Sequence, residues 1–219
     1  MRGRWFNSSV RSLTGEQIKL MRIDEVKDIY ADFSKTYETD VKKIMSYTAY
    51  RRVPELILNH LSVARPGILD LGCGTGLSSS LFFKRGYEVT GIDASRSMLK
   101  QAGRLPYRKL VCQDLEEELK VPDGSFDAIV MVGVMEYLND PSVILKQAVK
   151  KLRSGGVFGL TVPQKSSWYS ESGLRSYYKK EIEPVMLKAG LSIIACERIL
   201  GVEEEGRRAY YRNYILQKD

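Results

Sequence analysis

Hydrophobic and polar positions along the chain predict a helical N-terminal part followed by alternating strands and helices. In residues 23–37, apolar side chains recur at intervals of three and four, and the same spacing returns in residues 53–61. Such spacing places the apolar side chains on one face of a helix. We therefore predict helices within residues 23–65, ending where Pro66-Gly67 interrupts regular structure.

Beyond residue 66, short apolar runs alternate with amphipathic segments, which indicates a largely parallel α/β sheet. The predicted strands are residues 68–71, 87–92, 110–113, 126–132, 157–162, 191–199 and 208–216. The predicted helices run to about Lys84, from the N-cap Ser95 to Ala102, from Asp140 to a stop at residues 154–156, and through residues 182–187 to Gly190. A turn at residues 203–206 joins the last two strands, so one of them is expected to run antiparallel.

Length and composition favour one folded domain. The chain has 219 residues, of which 43% are hydrophobic and 28% are charged, as in ordinary soluble globular proteins. We expect a flexible N-terminal tail at residues 1–22 and a single domain at residues 23–219. Within that domain we expect an N-terminal helical cap, residues 23–65, and a sheet core, residues 66–219.

Cysteine and histidine usage argues against a disulfide framework and against a zinc site. Cys73, Cys112 and Cys196 lie far apart, and His60 is the only histidine. Scattered cysteines fit a reducing compartment, so we expect a cytoplasmic protein that holds no metal. No apolar run reaches the roughly 18 residues that a membrane span requires.

The first 13 residues are compatible with more than one cellular compartment. They contain Arg2, Arg4 and Arg11 together with several serines, and they contain no acidic residue. This composition fits a mitochondrial transit peptide as well as a disordered tail.

Net charge is +7 and the sequence pI is about 9.2, which raises the question of a nucleic-acid partner. The excess of lysine and arginine is spread along the chain, and no basic cluster with interleaved aromatic residues stands out. The charge is therefore typical of a solvated surface and does not favour nucleic acid as a partner.

Residues 67–77 contain the pattern that bears most directly on chemistry. An apolar run contains Asp70 near its end, and glycines follow at every second position: Gly72, Gly74 and Gly76. A strand, a glycine loop and a helix start together place free backbone N–H groups and the positive end of a helix beside a ligand. Glycine permits the tight turn and lets a ligand approach the backbone closely.

The spacing of these glycines distinguishes two classes of nucleotide cofactor. G-x-G-x-G differs from the G-x-G-x-x-G of dinucleotide-binding folds, and the Asp70 carboxylate would repel a pyrophosphate but suit a cationic ligand group. A purely structural turn is the alternative. D-x-G-x-G-x-G resembles the first motif of class I S-adenosylmethionine-dependent methyltransferases, whose cofactor carries an ammonium and a sulfonium group and no phosphate.

This resemblance implies an α/β, Rossmann-like fold: a seven-stranded, mostly parallel sheet with one antiparallel C-terminal strand, helices on both faces and an N-terminal helical cap. It also implies S-adenosyl-L-methionine as methyl donor and S-adenosyl-L-homocysteine as product. The resemblance covers Pro66 to about Val162 at four spaced points, and Gly155-Gly156 before the fifth strand also matches the family.

Asp93 ends the second predicted strand, and its surroundings through Ala94 to Met98 resemble the second motif of the family. A carboxylate at the carboxyl end of a strand can accept two hydrogen bonds from a ribose diol. In the family, the residue at the Met98 position covers the adenine. A helix-capping role for Asp93 is the alternative.

Two further strand ends match the family. Gln113, Asp114 and Leu115 follow the third strand, where the family places an acid against the adenine amino group, and a carboxylate suits that donor. An acidic surface loop is the alternative there. After the fourth strand, Val132 and Gly133 would direct a backbone carbonyl toward the ammonium group of the cofactor.

The N-terminal part adds a narrower resemblance. Residues 29–41 are similar to the Y-D-x-W-A-x-x-Y-D-x-D-V segment of many small-molecule methyltransferases, and with residues 47–50 they most resemble the Williams–Beuren-region methyltransferase-like family. By that resemblance, Tyr30 and Tyr37 fold over the methionine end of the cofactor, while Phe33 replaces the usual tryptophan. A plain aromatic core stripe is the alternative.

The resemblance thus predicts a full set of site residues. The expected cofactor-binding residues are Tyr30, Tyr37, Asp70, Gly72, Cys73, Gly74, Gly76, Asp93, Ala94, Met98, Gln113, Asp114, Leu115 and Val132. Glu136, Tyr137 and Trp168 are the candidates for the acceptor side. Methyl transfer from a sulfonium depends mainly on orientation, which can contribute about 7–11 kcal/mol. A general base is needed only for nucleophiles that carry a proton, so no catalytic residue is assigned.

Three functions remain in competition. The first is methyl transfer to a small molecule or a protein side chain. The second is RNA methylation, suggested by the basic pI but without an N-P-P-Y-type tetrad after the fourth strand. The third is a non-catalytic protein that binds the cofactor or stabilises a partner. The oligomeric state stays open, and a monomer is compatible with the sequence.

Overall fold

The computed structural model describes Glu25 and residues 48–166, 173–204 and 207–219. The predicted tail, most of the predicted helical cap and the candidate residues Tyr30, Tyr37 and Trp168 therefore lie outside the described residues.

Seven strands form one mixed sheet, as the sequence predicts. They are β1 (Gly67–Leu71), β2 (Glu88–Asp93), β3 (Lys109–Cys112), β4 (Phe126–Met131), β5 (Leu152–Pro163), β6 (Leu191–Glu204) and β7 (Arg207–Lys218). Their order across the sheet is β3-β2-β1-β4-β5-β7-β6. Because only β7 runs antiparallel to its neighbours, the expected Rossmann-like sheet is confirmed.

Five helices accompany the sheet within the described ranges. They are α1 (Ala49–His60), α2 (Ser80–Lys84), α3 (Arg96–Ala102), α4 (Pro141–Lys151) and α5 (Lys179–Lys188), with a 3₁₀ turn at Met135–Tyr137. Two predicted helix starts are confirmed by their caps. The Ser95 hydroxyl accepts a hydrogen bond from the N–H of Met98, and the Asp140 carboxylate accepts one from the N–H of Ser142.

Alternate residues of the central strands face opposite sides of the sheet. In β1, Leu69 and Leu71 lie in the core shared with α4 and α5, whereas Ile68 lies in the core shared with α1 and α2. All three side chains are fully buried, and each such burial stabilises the fold by about 1.5–3 kcal/mol. Helices therefore cover both faces, as predicted.

The start of β5 differs from the sequence prediction. The residues predicted to end a helix, 154–156, lie inside the strand, which begins at Leu152 directly after α4. Leu152 pairs with Phe126 of β4, and Gly155 adopts a φ of 70° within the irregular part of that pairing. The glycines therefore accommodate a strand irregularity instead of a helix end.

Two other boundaries also differ. α1 ends at His60 and not near Arg65, because Leu61 is already extended at φ −92° and ψ 121°. β6 continues to Glu204, beyond the predicted end at residue 199, because its pairing with β7 extends along the whole length of the hairpin. None of the helices in the described ranges is long and apolar enough to cross a membrane.

The carboxyl end of β1 is the switch point of the sheet. β1 lies between β2 and β4, so successive connections leave it toward opposite sides. At such a point the loops at the carboxyl ends of the strands separate and form a crevice that suits a ligand. The glycine loop, Asp93 and Val132 all follow or end these three strands.

Candidate active site

Three glycines in the left-handed region of backbone conformation shape the loop after β1. Gly72, Gly74 and Gly76 have φ values of 68°, 54° and 94°. The N–H groups of Gly72 and Cys73 donate to the carbonyl of Ile92 at 2.8 and 3.0 Å, so the loop begins tied to β2. Other residues rarely adopt these φ values, which explains glycine at each position.

The glycines differ in what lies beside them. A Cβ at Gly72 would come within 2.3 Å of Val134 Cγ2, and one at Gly76 within 2.4 Å of a leucine side chain. A Cβ at Gly74 would meet only Met98 Cε, at 3.4 Å. Gly74 therefore presents bare backbone with Met98 beside it, which is the arrangement that a ligand in contact with the loop requires.

Asp93 joins the glycine loop to the start of α3. One carboxylate oxygen accepts a hydrogen bond from the N–H of Gly74 and the other from the N–H of Ser95, both at 2.8 Å. Burial raises the pKa of Asp93, and the two N–H donors oppose that shift. The side chain that caps α3 is Ser95 and not Asp93. The carboxylate oxygens of Asp93 therefore keep lone pairs for hydroxyl donors.

Asp70 is fully buried at the end of β1 and is surrounded by hydroxyl groups. Its carboxylate accepts hydrogen bonds from Ser79 at 2.6 Å, from Ser78 at 3.1 Å and from Tyr107 at 3.1 Å. Burial raises the pKa of Asp70 to about 6, and the hydroxyl groups limit the rise. The carboxylate thus fixes the start of α2 and the segment before β3 against the glycine loop.

The loop after β3 folds around its own polar side chains. The buried amide of Gln113 accepts a hydrogen bond from the N–H of Lys120 at 3.0 Å and donates to the carbonyl of Glu118. The half-buried Asp114 accepts one from the N–H of Glu116 at 3.0 Å. The Gln113 side chain is therefore committed to the loop, whereas Asp114 keeps lone pairs for a ligand.

The remaining predicted residues lie at or beside the same strand ends. Cys73 and Leu115 are buried, while Ala94 and Val132 are half-buried. After Val132 the chain turns at Gly133, which has a φ of 69° and donates its N–H to the Thr161 hydroxyl at 2.8 Å.

Glu136 and Tyr137 lie on the 3₁₀ turn that follows β4. Glu136 is only 5% exposed, and its Oε1 accepts a hydrogen bond from the Tyr211 hydroxyl of β7 at 2.9 Å. Its Oε2 is buried without a hydrogen-bond partner among the described residues. Burial raises the pKa of Glu136 to about 7, and its own backbone N–H and the Tyr211 hydroxyl limit the rise.

The segment before α5 holds this turn in place. The N–H of Arg175 donates to the carbonyl of Glu136 at 3.0 Å, and the Tyr177 hydroxyl donates to the carbonyl of Met135 at 3.1 Å. On the opposite side, Val134 lies against Gly72, as the close approach of a Cβ at that position indicates. The turn is therefore adjacent to the glycine loop.

Several buried polar side-chain atoms at this edge have no hydrogen-bond partner among the described residues. They are Thr75 Oγ1, Glu136 Oε2, Gln164 Nε2 and Ser176 Oγ. Buried polar groups in folded proteins are normally paired, so unpaired atoms at one edge of a sheet are typical of a site that a ligand completes.

Tyr107 and Tyr211 are the functional candidates that sequence reasoning missed. Tyr107 contacts Asp70 from a segment that contains no recognisable motif. For Tyr211 a signal exists, because the apolar Ala209 and Tyr211 alternate with Arg208 and Arg212 along β7, and both apolar side chains are buried. The alternation predicts an inward side chain but not its partner, Glu136, which is distant in the sequence.

Known proteins match the part of the chain that contains these residues. Residues 69–160 match the family model described as a methyltransferase domain. The ubiquinone biosynthesis O-methyltransferase of Chromobacterium violaceum is 30% identical over 172 residues, covering 74% of this chain and 70% of the relative. The protein of the same name from Dechloromonas aromatica is 29% identical over 133 residues. In that comparison and in two others, the aligned part spans little more than half of the relative.

Solved structures share the fold. The [4+2]-cyclase SpnF superposes with a TM-score of 0.73 at 18% identity, covering 91% of this chain and 97% of that chain. The 1,6-didemethyltoxoflavin-N1-methyltransferase of Burkholderia thailandensis, solved with 1,6-didemethyltoxoflavin and S-adenosylhomocysteine, has a TM-score of 0.68 at 19% identity over 93% of both chains.

Proposed function

This chain belongs to the class I S-adenosylmethionine-dependent methyltransferases, and from that membership we propose what its site binds and methylates. The enzyme uses S-adenosyl-L-methionine and releases S-adenosyl-L-homocysteine. We propose that it transfers the methyl group to an oxygen atom of a small molecule. The single observation that most supports a cofactor site is the glycine loop, whose bare backbone at Gly74 is hydrogen-bonded to Asp93.

We assign the cofactor to the crevice at the carboxyl ends of β1, β2 and β4. Asp93 would accept the ribose hydroxyls, because the N–H groups of Gly74 and Ser95 fix its two oxygens while both keep lone pairs. Met98 and Asp114 would contact the adenine. The carbonyl of Val132 would accept a hydrogen bond from the ammonium group. The unpaired hydroxyl of Thr75 supports a polar ligand beside the loop.

The other predicted cofactor residues shape this crevice. Asp70 would act through the loop, because its three hydroxyl partners already satisfy the carboxylate. Cys73 and Leu115 would provide buried packing, and Ala94 would lie beside the ribose. Tyr30 and Tyr37 remain a prediction from the family resemblance, as does the narrower kinship with the Williams–Beuren-region methyltransferase-like family.

Catalysis would rest on orientation and exclusion of water. The cofactor supplies a methyl group that its sulfonium already activates. The chain's part is to hold the acceptor in line, which can contribute about 7–11 kcal/mol to lowering the barrier. The turn at residues 134–137 adjoins the glycine loop, so we place the acceptor beside Glu136 and Tyr137. Trp168 remains a predicted acceptor contact outside the described residues.

The oxygen acceptor is proposed from the relatives, which are named as O-methyltransferases of ubiquinone biosynthesis. A small molecule also suits the site, since the side chains around Tyr211 are mostly apolar or aromatic. We further propose a cytoplasmic location, because Cys73, Cys112 and Cys196 are free thiols, which persist in reducing compartments.

Calorimetry with S-adenosylhomocysteine tests the cofactor assignment. The folded protein should bind it, and Asp93→Ala should weaken binding by about 1.5–3 kcal/mol, since a charged acceptor is lost. Glu88→Ala is the matched control, because Glu88 is an exposed acid at the opposite end of β2. Equal losses in both variants, or no binding by the wild-type protein at millimolar ligand, would contradict the assignment.

Labelled methyl transfer tests the acceptor class. Wild-type protein and S-adenosylmethionine labelled in its methyl group are added to a cell extract, which is then separated into metabolite, protein and RNA fractions. We expect label in the metabolite fraction, bound to oxygen. Label confined to RNA or protein would refute the small-molecule acceptor, and no label in any fraction would favour a non-catalytic protein.

A further inference from the structure

Glu136 is a buried acid in which only one of the two carboxylate oxygens is hydrogen-bonded among the described residues. Tyr211 donates to Oε1 at 2.9 Å, and Oε2 has no partner among the described residues. A carboxylate can accept about four hydrogen bonds, and a buried charged oxygen without one is costly. Asp70, the other fully enclosed acid of the site, has three hydroxyl donors, so the shortage is specific to Glu136.

The surroundings of this acid suit an aromatic molecule. Tyr211 packs in a cluster with Ala49, Tyr50 and Ala209, against which Leu77, Val132, Leu174 and Ile199 also lie. Leu77 follows the glycine loop, and Val132 follows β4, so the cluster adjoins the proposed cofactor crevice. An apolar lining with a few polar groups that require partners is the usual composition of a small-molecule site.

Tyr211 itself is held rigidly. Its ring lies against the backbone of Gly201 on β6, where a Cβ would come within 2.2 Å of Tyr211 Cδ2. The hydroxyl therefore has a fixed position from which to orient the Glu136 carboxylate. Other titratable or charged groups lie around the turn. They are Tyr137 on the turn itself, Arg175 and Tyr177 in the segment before α5, Asp140 at the start of α4, and Glu116, which accepts a hydrogen bond from the N–H of Asp140.

We propose that Glu136 accepts the proton of a phenolic hydroxyl while that oxygen is methylated, and that Tyr211 is the positioning residue for its carboxylate. This inference rests on the proposed function. In the step, the acceptor O–H bond breaks and its proton moves to Glu136 Oε2. The oxygen forms a bond to the methyl carbon, the carbon–sulfur bond breaks, and its electron pair stays on sulfur. Glu136 later returns the proton to water.

The choice of a phenol follows from matching acid strengths. Burial raises the pKa of Glu136 to about 7. A phenol such as the tyrosine side chain ionises near pH 10, and its acidity rises as the oxygen begins to bond to carbon. An aliphatic alcohol resembles water, with a pKa of about 15.7, and lies much further from the range of this base.

The test uses catechol, which like an ordinary phenol keeps its proton at pH 7, as acceptor and Glu136→Gln as the variant. At pH 7 the turnover of the variant should fall on the order of 10²–10⁴-fold. At high pH, where the probe is already ionised, the difference should largely disappear. Glu88→Gln, at the opposite edge of the sheet, should behave like the wild-type protein. A loss that is equally large at every pH, or no loss, would overturn the proposal.

A binding readout separates this inference from the proposed function. With S-adenosylhomocysteine present, calorimetry should show catechol binding to the wild-type protein, and Glu136→Gln should weaken that binding about tenfold or more, because the carboxylate acceptor is lost. If S-adenosylhomocysteine itself does not bind, the proposed function fails. If it binds but the affinity for catechol is the same in both proteins, or if the wild type methylates no phenol, only the inference fails.

Tyr211→Phe provides a second variant in case Glu136→Gln does not fold. Loss of the hydroxyl removes a hydrogen bond that lowers the pKa of Glu136, so the acid limb of the kcat/KM profile should move to higher pH by about one unit. S-adenosylhomocysteine affinity should stay unchanged. A uniform loss of rate with an unshifted acid limb would show a merely structural role and overturn the assignment of Tyr211.

Discussion

Single acidic residues at the site have different roles because their hydrogen-bond partners differ. Burial raises the pKa of Asp70 to about 6 and that of Glu136 to about 7. Three hydroxyl donors satisfy Asp70, whereas Glu136 has one donor and an unused oxygen. Asp93 lies between these cases, since backbone N–H groups hold it while lone pairs remain. Partner count, more than burial, therefore separates the supporting role that we propose for Asp70 from the ligand-binding roles that we propose for Asp93 and Glu136.

Replacement of Asp70 by asparagine should change how stability depends on pH. The folded-state pKa of Asp70, about 6, exceeds the ordinary value of 3.8, so folding favours its protonated form. The wild-type protein should therefore lose about 3 kcal/mol of unfolding free energy from this group as pH rises from about 4 to 6, and Asp70→Asn should not.

Urea denaturation at a series of pH values measures this difference. The gap between the variant and the wild-type protein should grow in favour of Asp70→Asn across that pH window and stay constant above it. Glu88→Gln serves as the control, since it replaces an exposed acid. Parallel curves for Asp70→Asn and the wild-type protein would contradict a raised pKa.

At the scale of elements, local signals predicted what local chemistry determines. Three predicted helix ends are correct: the caps at Ser95 and Asp140 and the stop at Gly190. Each depends on a capping side chain or a glycine that acts on its own helix. The predicted start of β5 is wrong, because Leu152 joins the strand through its pairing with Phe126 on β4. A short-range pattern contains no information on that pairing.

The same distinction applies to the site. The glycines, Asp93 and Met98 lie within two short motifs, so the sequence identifies them together. Tyr211 and Glu136 meet only because β7 runs antiparallel, which puts the start of β7 at the edge where the parallel strands end. Their contact follows from the topology of the sheet and has no counterpart in the linear pattern.

Alanine substitutions in the glycine loop should separate folding from ligand binding. Gly72→Ala combines a positive φ with an overlap against Val134, so we expect a loss of stability of about 2 kcal/mol or more. Gly74→Ala has the same backbone cost but ordinary contacts, so it should fold with a loss of about 1–2 kcal/mol and bind S-adenosylhomocysteine at least about tenfold more weakly.

Gly86→Ala isolates the backbone term. Gly86 has a φ of 70° with open space around it and lies in the turn between α2 and β2, away from the loop. Its alanine variant should lose as much stability as Gly74→Ala while retaining full affinity for S-adenosylhomocysteine in calorimetry. If Gly86→Ala and Gly74→Ala weakened binding equally, the bare backbone at Gly74 would not be a ligand contact.

At the scale of the whole molecule, the C-terminal hairpin and α1 enclose the proposed acceptor side. The Arg52 guanidinium of α1 contacts both carboxylate oxygens of Glu197 on β6 at 3.0 and 3.1 Å, and Asn213 of β7 donates to the same carboxylate. Tyr50, one helical turn or less from Arg52, lies in the cluster with Tyr211. Ligand binding should therefore stabilise these elements together with the sheet.

Because ligand binding stabilises the folded state, we expect a large thermal shift when ligand is added. At 100 times its dissociation constant, S-adenosylhomocysteine should add about 2.7 kcal/mol to the free energy of unfolding. In a chain of this size, 1 kcal/mol raises Tm by about 2–4 °C, so the shift should be about 5–11 °C. It should persist as salt is increased, because the ligand carries no phosphate and the contacts that we propose for it, with Asp93 and the loop, would lie in a crevice, largely away from solvent. A polyanion held by the net charge of +7 would instead lose its effect steeply with salt. A shift that vanishes at high salt, or that a dinucleotide reproduces, would contradict the assignment of this crevice to the cofactor.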